Sequence, residues 1–419
     1  MAEEALDYLR EAAVSCMKCG FCKAVCPVHV GPETTSPRAR VRLARAYADG
    51  VIGLSARLKS EVGNCINCKA CRVECPSGVA VDRIVLDLRR RIVNEDGLSR
   101  VARLVYRRLL SDPSRLAGWA RGLGLMSRLM GLANPRSPFR LAFPLLGLPA
   151  DKRLPPLGSG RPFRASVPEV AEPLAAPRLT AVYFVGCAAD LLYPEVAWAV
   201  WRVLRRLGCR VIVPREMVCC GTPVLSAGDS EGARALALRN IEILSQVEAH
   251  AVVTSCGSCG LTISREWGEV LGVDVPAELE SRVVDLAALI SALAPPPLKM
   301  PSEMVATYHD PCHLRHGMGV YEEPRALLKS IAGLRFVEME DAERCCGGGG
   351  AFCIHHPKLS RMVGAQKARS VMATGAEAVV TGCPACLVQL DECLRLAGSR
   401  VQVLHLAQVI DQALSTHPL

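Results

Sequence analysis

Eight of the 21 cysteines in this 419-residue chain stand in two runs of one spacing: Cys16, Cys19, Cys22 and Cys26-Pro27, then Cys65, Cys68, Cys71 and Cys75-Pro76. Three thiolates at three-residue steps wrap one face of a cubane, the residues between them lend backbone N–H groups to its sulfides, and the fourth cysteine reaches the other centre. The spacing therefore predicts two 4Fe-4S cubane clusters, one held by Cys16, Cys19, Cys22 and Cys75, the other by Cys65, Cys68, Cys71 and Cys26. Zinc knuckles need only four ligands each and usually show separated CxxC pairs, so they fit this pattern poorly. Pro27 and Pro76 end the loops, because proline cannot continue the preceding helical turn. Lys18, Lys23, Lys69 and Arg72 lie between or beside the cysteines. Plain solvation is the simpler reading of these four; raising a reduction potential or guiding an acidic partner is the functional one.

Ten further cysteines repeat across the C-terminal half. Cys187 returns as Cys312, Cys219-Cys220 as Cys345-Cys346, and Cys256 and Cys259 as Cys383 and Cys386. The offset drifts by one residue per motif, as duplication with loop-length changes would give. Each repeat has one cysteine after a strand-like run, a vicinal Cys-Cys-Gly and a CxxC ending another strand. Five thiolates exceed what one cubane requires, and a vicinal pair aims its sulfurs apart, which suits an unusual cluster better than a zinc tetrahedron. Gly221 and Gly347 to Gly350 are expected to adopt positive φ and let backbone come close. That glycine run lacks the P-loop Lys-Ser/Thr, and no dinucleotide fingerprint is present, so no flavin is expected on this chain. Cys209, Cys353 and Cys393 fall outside every motif and read as small hydrophobes. His309, His313 and His316 flank Cys312; loop or packing roles are favoured for all three, with donation to cluster sulfur or proton shuttling as the alternative. Asp310 is expected to cap or order that turn, and His355 and His356 to lie on the surface.

The elements that must position these thiols follow from periodicity. Apolar runs such as Thr180 to Gly186 and Ala251 to Thr254 alternate with helical runs such as Pro194 to Leu207 and Glu231 to Gln246, the rhythm of a parallel sheet with crossover helices. The expected fold is α/β: an N-terminal α-helical ferredoxin-like module (1–97), an Arg-rich amphipathic helical segment and Pro-rich linker (98–178), and duplicated α/β cysteine-rich lobes (179–298 and 299–419). Between Leu98 and Ala165 thirteen Lys or Arg face two acids, Asp112 and Asp151. This stretch reads as a solvated helix packed on the ferredoxin module, or as a docking face for an acidic partner or membrane surface.

Half the residues are apolar, ample for a core without disulfide staples. The N-terminus lacks the order of a secretory signal. A reducing, cytoplasmic compartment is thus expected, where dense cysteine means metal or redox chemistry. The most apolar stretch, Ala181 to Leu204, is broken by Asp190, Glu195 and Arg202, too polar to span a membrane. The formal charge of +9 shrinks once ligating thiols ionise, and nucleic acid is a poor partner.

The twin CxxCxxCxxxCP loops, the two Cys-Cys-Gly lobes and Ser36-Pro-Arg-Ala-Arg-Val between the first and second loops together resemble the glycolate oxidase iron-sulfur subunit. Related families are the anaerobic glycerol-3-phosphate dehydrogenase iron-sulfur subunit, the lactate-utilisation iron-sulfur proteins and the heterodisulfide reductases. The resemblance spans nearly the whole chain. It implies electron transfer from an FAD-containing dehydrogenase subunit oxidising a 2-hydroxy acid such as glycolate or lactate, toward quinone or a membrane-associated acceptor, in a hetero-oligomer that can sit on the inner membrane face. By the heterodisulfide reductase resemblance, Cys187, Cys219, Cys220, Cys256 and Cys259 would hold one noncubane 4Fe-4S cluster. Cys312, Cys345, Cys346, Cys383 and Cys386 would hold another, giving one or two clusters beyond the cubanes. Many glycolate-oxidase-type subunits are incomplete at the CxxC positions, whereas this chain has them all. Cleavage of a disulfide between the two lobes, with those ten cysteines catalytic, is therefore the second reading.

Overall fold

The computed structural model describes residues 4–129, 161–350 and 352–415. The C-terminal half carries two sheets. The first contains β1 (Val170–Ala171), β2 (Leu179–Phe184), β3 (Cys209–Ile212), β4 (Ala251–Thr254) and β5 (Val283–Asp285), in the order β1-β3-β2-β4-β5 with only β1 antiparallel. The second contains β6 (Lys299–His309), β7 (Ala332–Phe336), β8 (Ala378–Thr381) and β9 (Gln402–His405), in the order β7-β6-β8-β9 and parallel throughout. β4 and β8 share the sequence Ala-Val-Val-Thr and every residue of both is buried, as expected of a parallel sheet covered on both faces. The duplication extends to register: Phe184 pairs with Thr254 in one sheet and His309 with Thr381 in the other.

The two sheets share one core. The crossover helix Pro194–Arg206 starts with proline at its first position, where no intrahelical N–H is needed. It lays Val196, Val200, Val203 and Leu204 inward. Against it packs the C-terminal helix Leu406–Ser415, and side chains from both sheets join the same apolar cluster. Arg202 closes the rim on Asp411 at 2.6 Å. Parallel strands thus end at one edge of each sheet. Cys187, Cys256, Cys312 and Cys383 all follow such strand ends, the place where open α/β sheets bind ligands.

In the N-terminal module, helices Glu4–Val14, Pro37–Ala48, Ala56–Gly63 and Val81–Asp96 surround Leu9, Val41, Ala44, Leu58, Val62, Ile84, Val85 and Leu88. Ser36 and Ser55 cap two of these helices, accepting from the N–H of Ala39 and Leu58 at 3.1 and 3.3 Å.

Two segments differ from expectation. The Arg-rich stretch is not one helix: Arg100–Leu104 runs into a π turn, Val105–Leu109, and a new helix, Pro113–Leu129, begins at a proline that cannot extend the old one. Its described part packs chiefly on the first lobe, in a cluster that also takes in Leu86 of the ferredoxin module. Val105, Tyr106, Leu110 and Leu116 join that lobe's core, and Arg107 bridges to Asp229 at 2.8 Å. Residues 130–160 of the stretch lie outside the described residues. The supposed linker is structured where described: Phe163 is fully buried in edge-to-face contact with Trp198, and β1 adds an edge strand. Proline-rich sequence is compatible with that position because an edge strand leaves one row of N–H groups unpaired. Among the described residues no helix is long and apolar enough to cross a membrane.

Candidate metal centres

Both ferredoxin-type loops fold the same way. Lys18 and Gly20 in the first, Asn67 and Lys69 in the second, take positive φ at matching positions. These left-handed kinks turn successive cysteines toward one point. Cys16, Cys19, Cys22 and Cys75 line one small hollow, together with Cys71. Burial pushes the Cys22 thiol up, and charge on Cys16, Cys19 and Cys75 adds to it. Burial likewise raises Cys26 and Cys71, with Cys65 a charged neighbour of both. The fourth cysteine of each run thus lies with the other run's first three.

Two arginines missed in the sequence face the second set. Arg40, from the Ser36-Pro-Arg-Ala-Arg-Val segment, is 1% exposed, and one of its terminal nitrogens has no hydrogen-bond partner among the described residues. Its own burial opposes its charge, but Cys65, Cys26 and Cys71 raise its pKa. Arg89 donates to the carbonyls of Val62, Gly63 and Cys65 and, at 2.8 Å, to Ser226. A buried guanidinium with a spare N–H beside a group of thiols is what an anionic cluster would complete. Arg40→Met, which removes the charge but keeps most of the volume, is expected to lower the midpoint of one ferredoxin centre without iron loss. The shift is about 60 mV for each tenfold change in the redox equilibrium. Redox titration checks it; an unchanged midpoint speaks against a role for Arg40.

All ten cysteines of the two lobes line one cavity of about 180 Å³. Their sulfurs form an unbroken chain of contacts. From Cys187 it runs through Cys219, Cys220, Cys259 and Cys256, crosses between lobes from Cys256 to Cys383 at 3.6 Å, and continues through Cys386, Cys346 and Cys345 to Cys312. Neighbouring thiols push each other's ionisation apart. Cys345 and Cys386, then His309, hold Cys346 well below the usual thiol range, while contact with Cys187 and Cys220 drives Cys219 well above it. Ten clustered thiols, seven of them buried and three half-buried, cannot all ionise unless cations are supplied, so the donor set fits iron. Gly347 has φ +92 and a Cβ there would meet the Ser360 carbonyl at 2.7 Å; Gly221, Gly349 and Gly350 are also positive, but Gly348 is not.

The module and the lobes meet at the second ferredoxin loop. Burial drives the Cys68 thiol up, and Cys312 is its strongest charged neighbour. His313 Nε2 contacts the Asn67 carbonyl at 2.9 Å. Lys69 is buried and bridges Glu266 at 2.8 Å and Asp82 at 3.0 Å, so it is not solvated. Lys18 is exposed, Lys23 pairs with Glu33 at the surface, and Arg72 is half-buried. Asp310 orders its turn by gripping Arg315 and Arg325 at 2.9 and 2.8 Å rather than by capping. His309 is fully buried, as a packing role would have it, yet among the described residues neither ring nitrogen has a hydrogen-bond partner. His313 is buried and His316 partly so, and burial lowers the pKa of His316. Cys209 and Cys393 are buried in apolar clusters and Cys353 is half-buried; His355 is exposed and His356 stacks on Phe352.

Residues 12–79 match the family described as a 4Fe-4S dicluster domain, and residues 181–264 and 306–391 match the cysteine-rich domain family. The probable glycolate oxidase iron-sulfur subunit of Bacillus subtilis is 30% identical over 96% of this chain and 94% of its own length. The glycolate oxidase iron-sulfur subunit of Escherichia coli is 26% identical, again over 96% and 94%. One subunit of the dihydromethanophenazine:CoB–CoM heterodisulfide reductase of Methanosarcina barkeri is 27% identical over 96% of this chain and 93% of that protein.

Proposed function

The chain belongs to the family of the glycolate oxidase iron-sulfur subunit, and we propose that it is the electron-transfer subunit of an FAD-dependent 2-hydroxy-acid dehydrogenase complex. Cys16, Cys19, Cys22 and Cys75 hold one 4Fe-4S cubane and Cys65, Cys68, Cys71 and Cys26 the other. The five cysteines of each lobe hold a further, noncubane centre. Bound in these sites, the clusters supply one-electron carriers whose potentials depend on ligand type, hydrogen bonds to sulfur and exposure.

The observation that carries this reading is the continuity of thiols from the surface to the lobe interior. Cys19 is exposed, Cys68 neighbours Cys312, and the ten lobe cysteines follow without a break. The residues around them insulate and hold that line: Arg40 and Arg89 offset its negative charge, and Lys69 and His313 fix the module against the lobes. The flavin sits on a partner subunit and the acceptor is quinone or a membrane-associated protein, the assembly lying on the inner face of the membrane. A native pull-down is expected to bring down a flavoprotein, and glycolate or lactate is expected to bleach the visible absorption of that complex. No bleaching with either 2-hydroxy acid, with the flavoprotein present, would sink the reading.

One observation favours a second reading, a heterodisulfide reductase-like subunit. Both lobes keep all five cysteines, and Cys256 and Cys383 meet across the shared cavity. Reduction of a small disulfide by the isolated, chemically reduced chain would favour it over the first.

A further inference from the structure

The two lobes differ where their strands deliver a side chain to the vicinal cysteines. β2 ends on Phe184 and β6 on His309, in matching register opposite Thr254 and Thr381. Phe184 is buried in a cluster that includes Cys219, Cys220 and Cys259. His309 is just as buried, and its ring comes within 4.8 Å of the sulfurs of Cys346 and Cys386, the counterparts of Cys220 and Cys259. Neither imidazole nitrogen has a hydrogen-bond partner among the described residues, although the ring already bears on the Cys346 thiol. A buried donor left without an acceptor is costly, so this position calls for an acceptor.

A second difference runs the other way. In the first lobe the vicinal pair is followed by Gly221-Thr222, and Thr222 Oγ1 lies 3.1 Å from Cys220 Sγ. A thiolate can only accept, so the hydroxyl would donate. In the second lobe the same positions are Gly347-Gly348, which offer no hydroxyl. The second cysteine of each vicinal pair therefore has one side-chain donor at hand, from the loop in one lobe and from the strand end in the other. Thr222 has a single proton, and Ser258 O at 3.1 Å and Thr262 Oγ1 at 2.7 Å compete for it. His309 has no competing partner among the described residues.

We propose that His309 is a positioning residue: its N–H donates to the Cys346 thiolate and raises the reduction potential of the second lobe's centre, taking over the part that Thr222 plays in the first. The proposal rests on the reading that each lobe holds a cluster. A donor to a ligating sulfur stabilises the more negative, reduced state. Each lobe already has five cysteines, so the imidazole is surplus as a ligand and free to donate.

Two variants test it in the full-length protein, purified without oxygen. His309→Phe, which installs the first lobe's residue, is expected to lower the midpoint of one lobe centre while iron and sulfide stay at the wild-type count. Adding Gly348→Thr moves the donor to the loop position used in the first lobe and is expected to raise that midpoint again. A Cβ at Gly348 would stand 3.3 Å from Gln389 Cβ and needs no left-handed backbone, so a small shift admits it. His309→Leu serves the same purpose should the phenyl ring not pack. Unchanged midpoints overturn the proposal, and so does loss of one cluster's iron, which would make His309 a ligand. Wild-type protein holding iron for the ferredoxin module alone also overturns it, by removing the lobe centres themselves. That outcome is read before any variant is made.

Discussion

Cys346→Ser, isolated without oxygen, is expected to lose about four iron atoms, out of about sixteen that the proposed four clusters would give the wild type, with both ferredoxin signals intact. The alcohol that replaces the thiol does not ionise near neutral pH and is a poorer ligand for iron. Cys346 also stands mid-chain among the second lobe's sulfurs, between Cys345 and Cys386. Its removal splits that lobe's five-cysteine set. The second ferredoxin loop reaches the lobe through Cys68 and Cys312. Cys26→Ser is the informative counterpart. Although it lies in the first run, it is expected to empty the centre of Cys65, Cys68 and Cys71 and spare that of Cys16, Cys19 and Cys22. Iron analysis and low-temperature EPR decide both. A full iron count in Cys346→Ser would remove the lobe from the set of ligands, and loss of the first centre in Cys26→Ser would undo the interleaved assignment.

What could be read before folding was whatever repeats at short range. Three-residue cysteine steps predict which thiols share a centre because the intervening loop is too short to do otherwise. At longer range the 125–127-residue recurrence pointed to duplicated α/β lobes, and the Ala251 to Thr254 run is β4; its twin β8, with the same four residues, emerges only in the structure. Contacts made by distant segments leave no such trace. Cys256 and Cys383 approach within 3.6 Å only because the two sheets share a core between helices Pro194–Arg206 and Leu406–Ser415. Arg40 figures in the sequence only as part of the Ser36-Pro-Arg-Ala-Arg-Val segment; the packing of Pro37–Ala48 on Val81–Asp96 is what shows that it faces inward. β1 was hidden for another reason: a two-residue edge strand among prolines has no periodicity to detect. His309 was legible in part. Aligning the repeats sets it against Phe184, a mismatch at a buried position that invites the question of what the imidazole does.

Lys69→Ala is expected to destabilise the protein by about 3–5 kcal/mol, because it leaves Glu266 buried without its cation and Asp82 with only the more distant Arg72 at 3.6 Å. The Lys69, Glu266 and Asp82 side chains are no more than 4% exposed, with separations of 2.8 and 3.0 Å. Lys69 also carries a cost of its own. Its φ is +65, at the position where the first loop has Gly20, and a left-handed non-glycine residue is disfavoured by about 1–2 kcal/mol. At this one position the second loop tolerates strain that the first avoids, although Lys18 of the first loop is left-handed too, and the compensation at Lys69 is the buried ion cluster tying the module to the first lobe. Lys69→Gly separates the two effects: it loses the same charge but relieves the backbone, so its loss should be smaller than that of Lys69→Ala by about 1 kcal/mol. The pH dependence has a definite sign. Burial alone would raise Glu266, yet Lys69 and then His313 pull its pKa down from 4.5 to about 2. A carboxylate depressed in the folded state contributes fully above its unfolded value and loses that contribution as pH falls toward the folded one. Burial disfavours the Lys69 ammonium, but Glu266 and Asp82 raise it above its usual 10.5, so its contribution persists at every pH below that value. The stability gap between wild type and Lys69→Ala is therefore expected to be flat across neutral pH and to begin closing only below about pH 4.5. Anaerobic urea denaturation at several pH values measures it. A loss below about 1 kcal/mol at neutral pH, the range of exposed ion pairs, would mean that Lys69 does not clamp the module to the lobe.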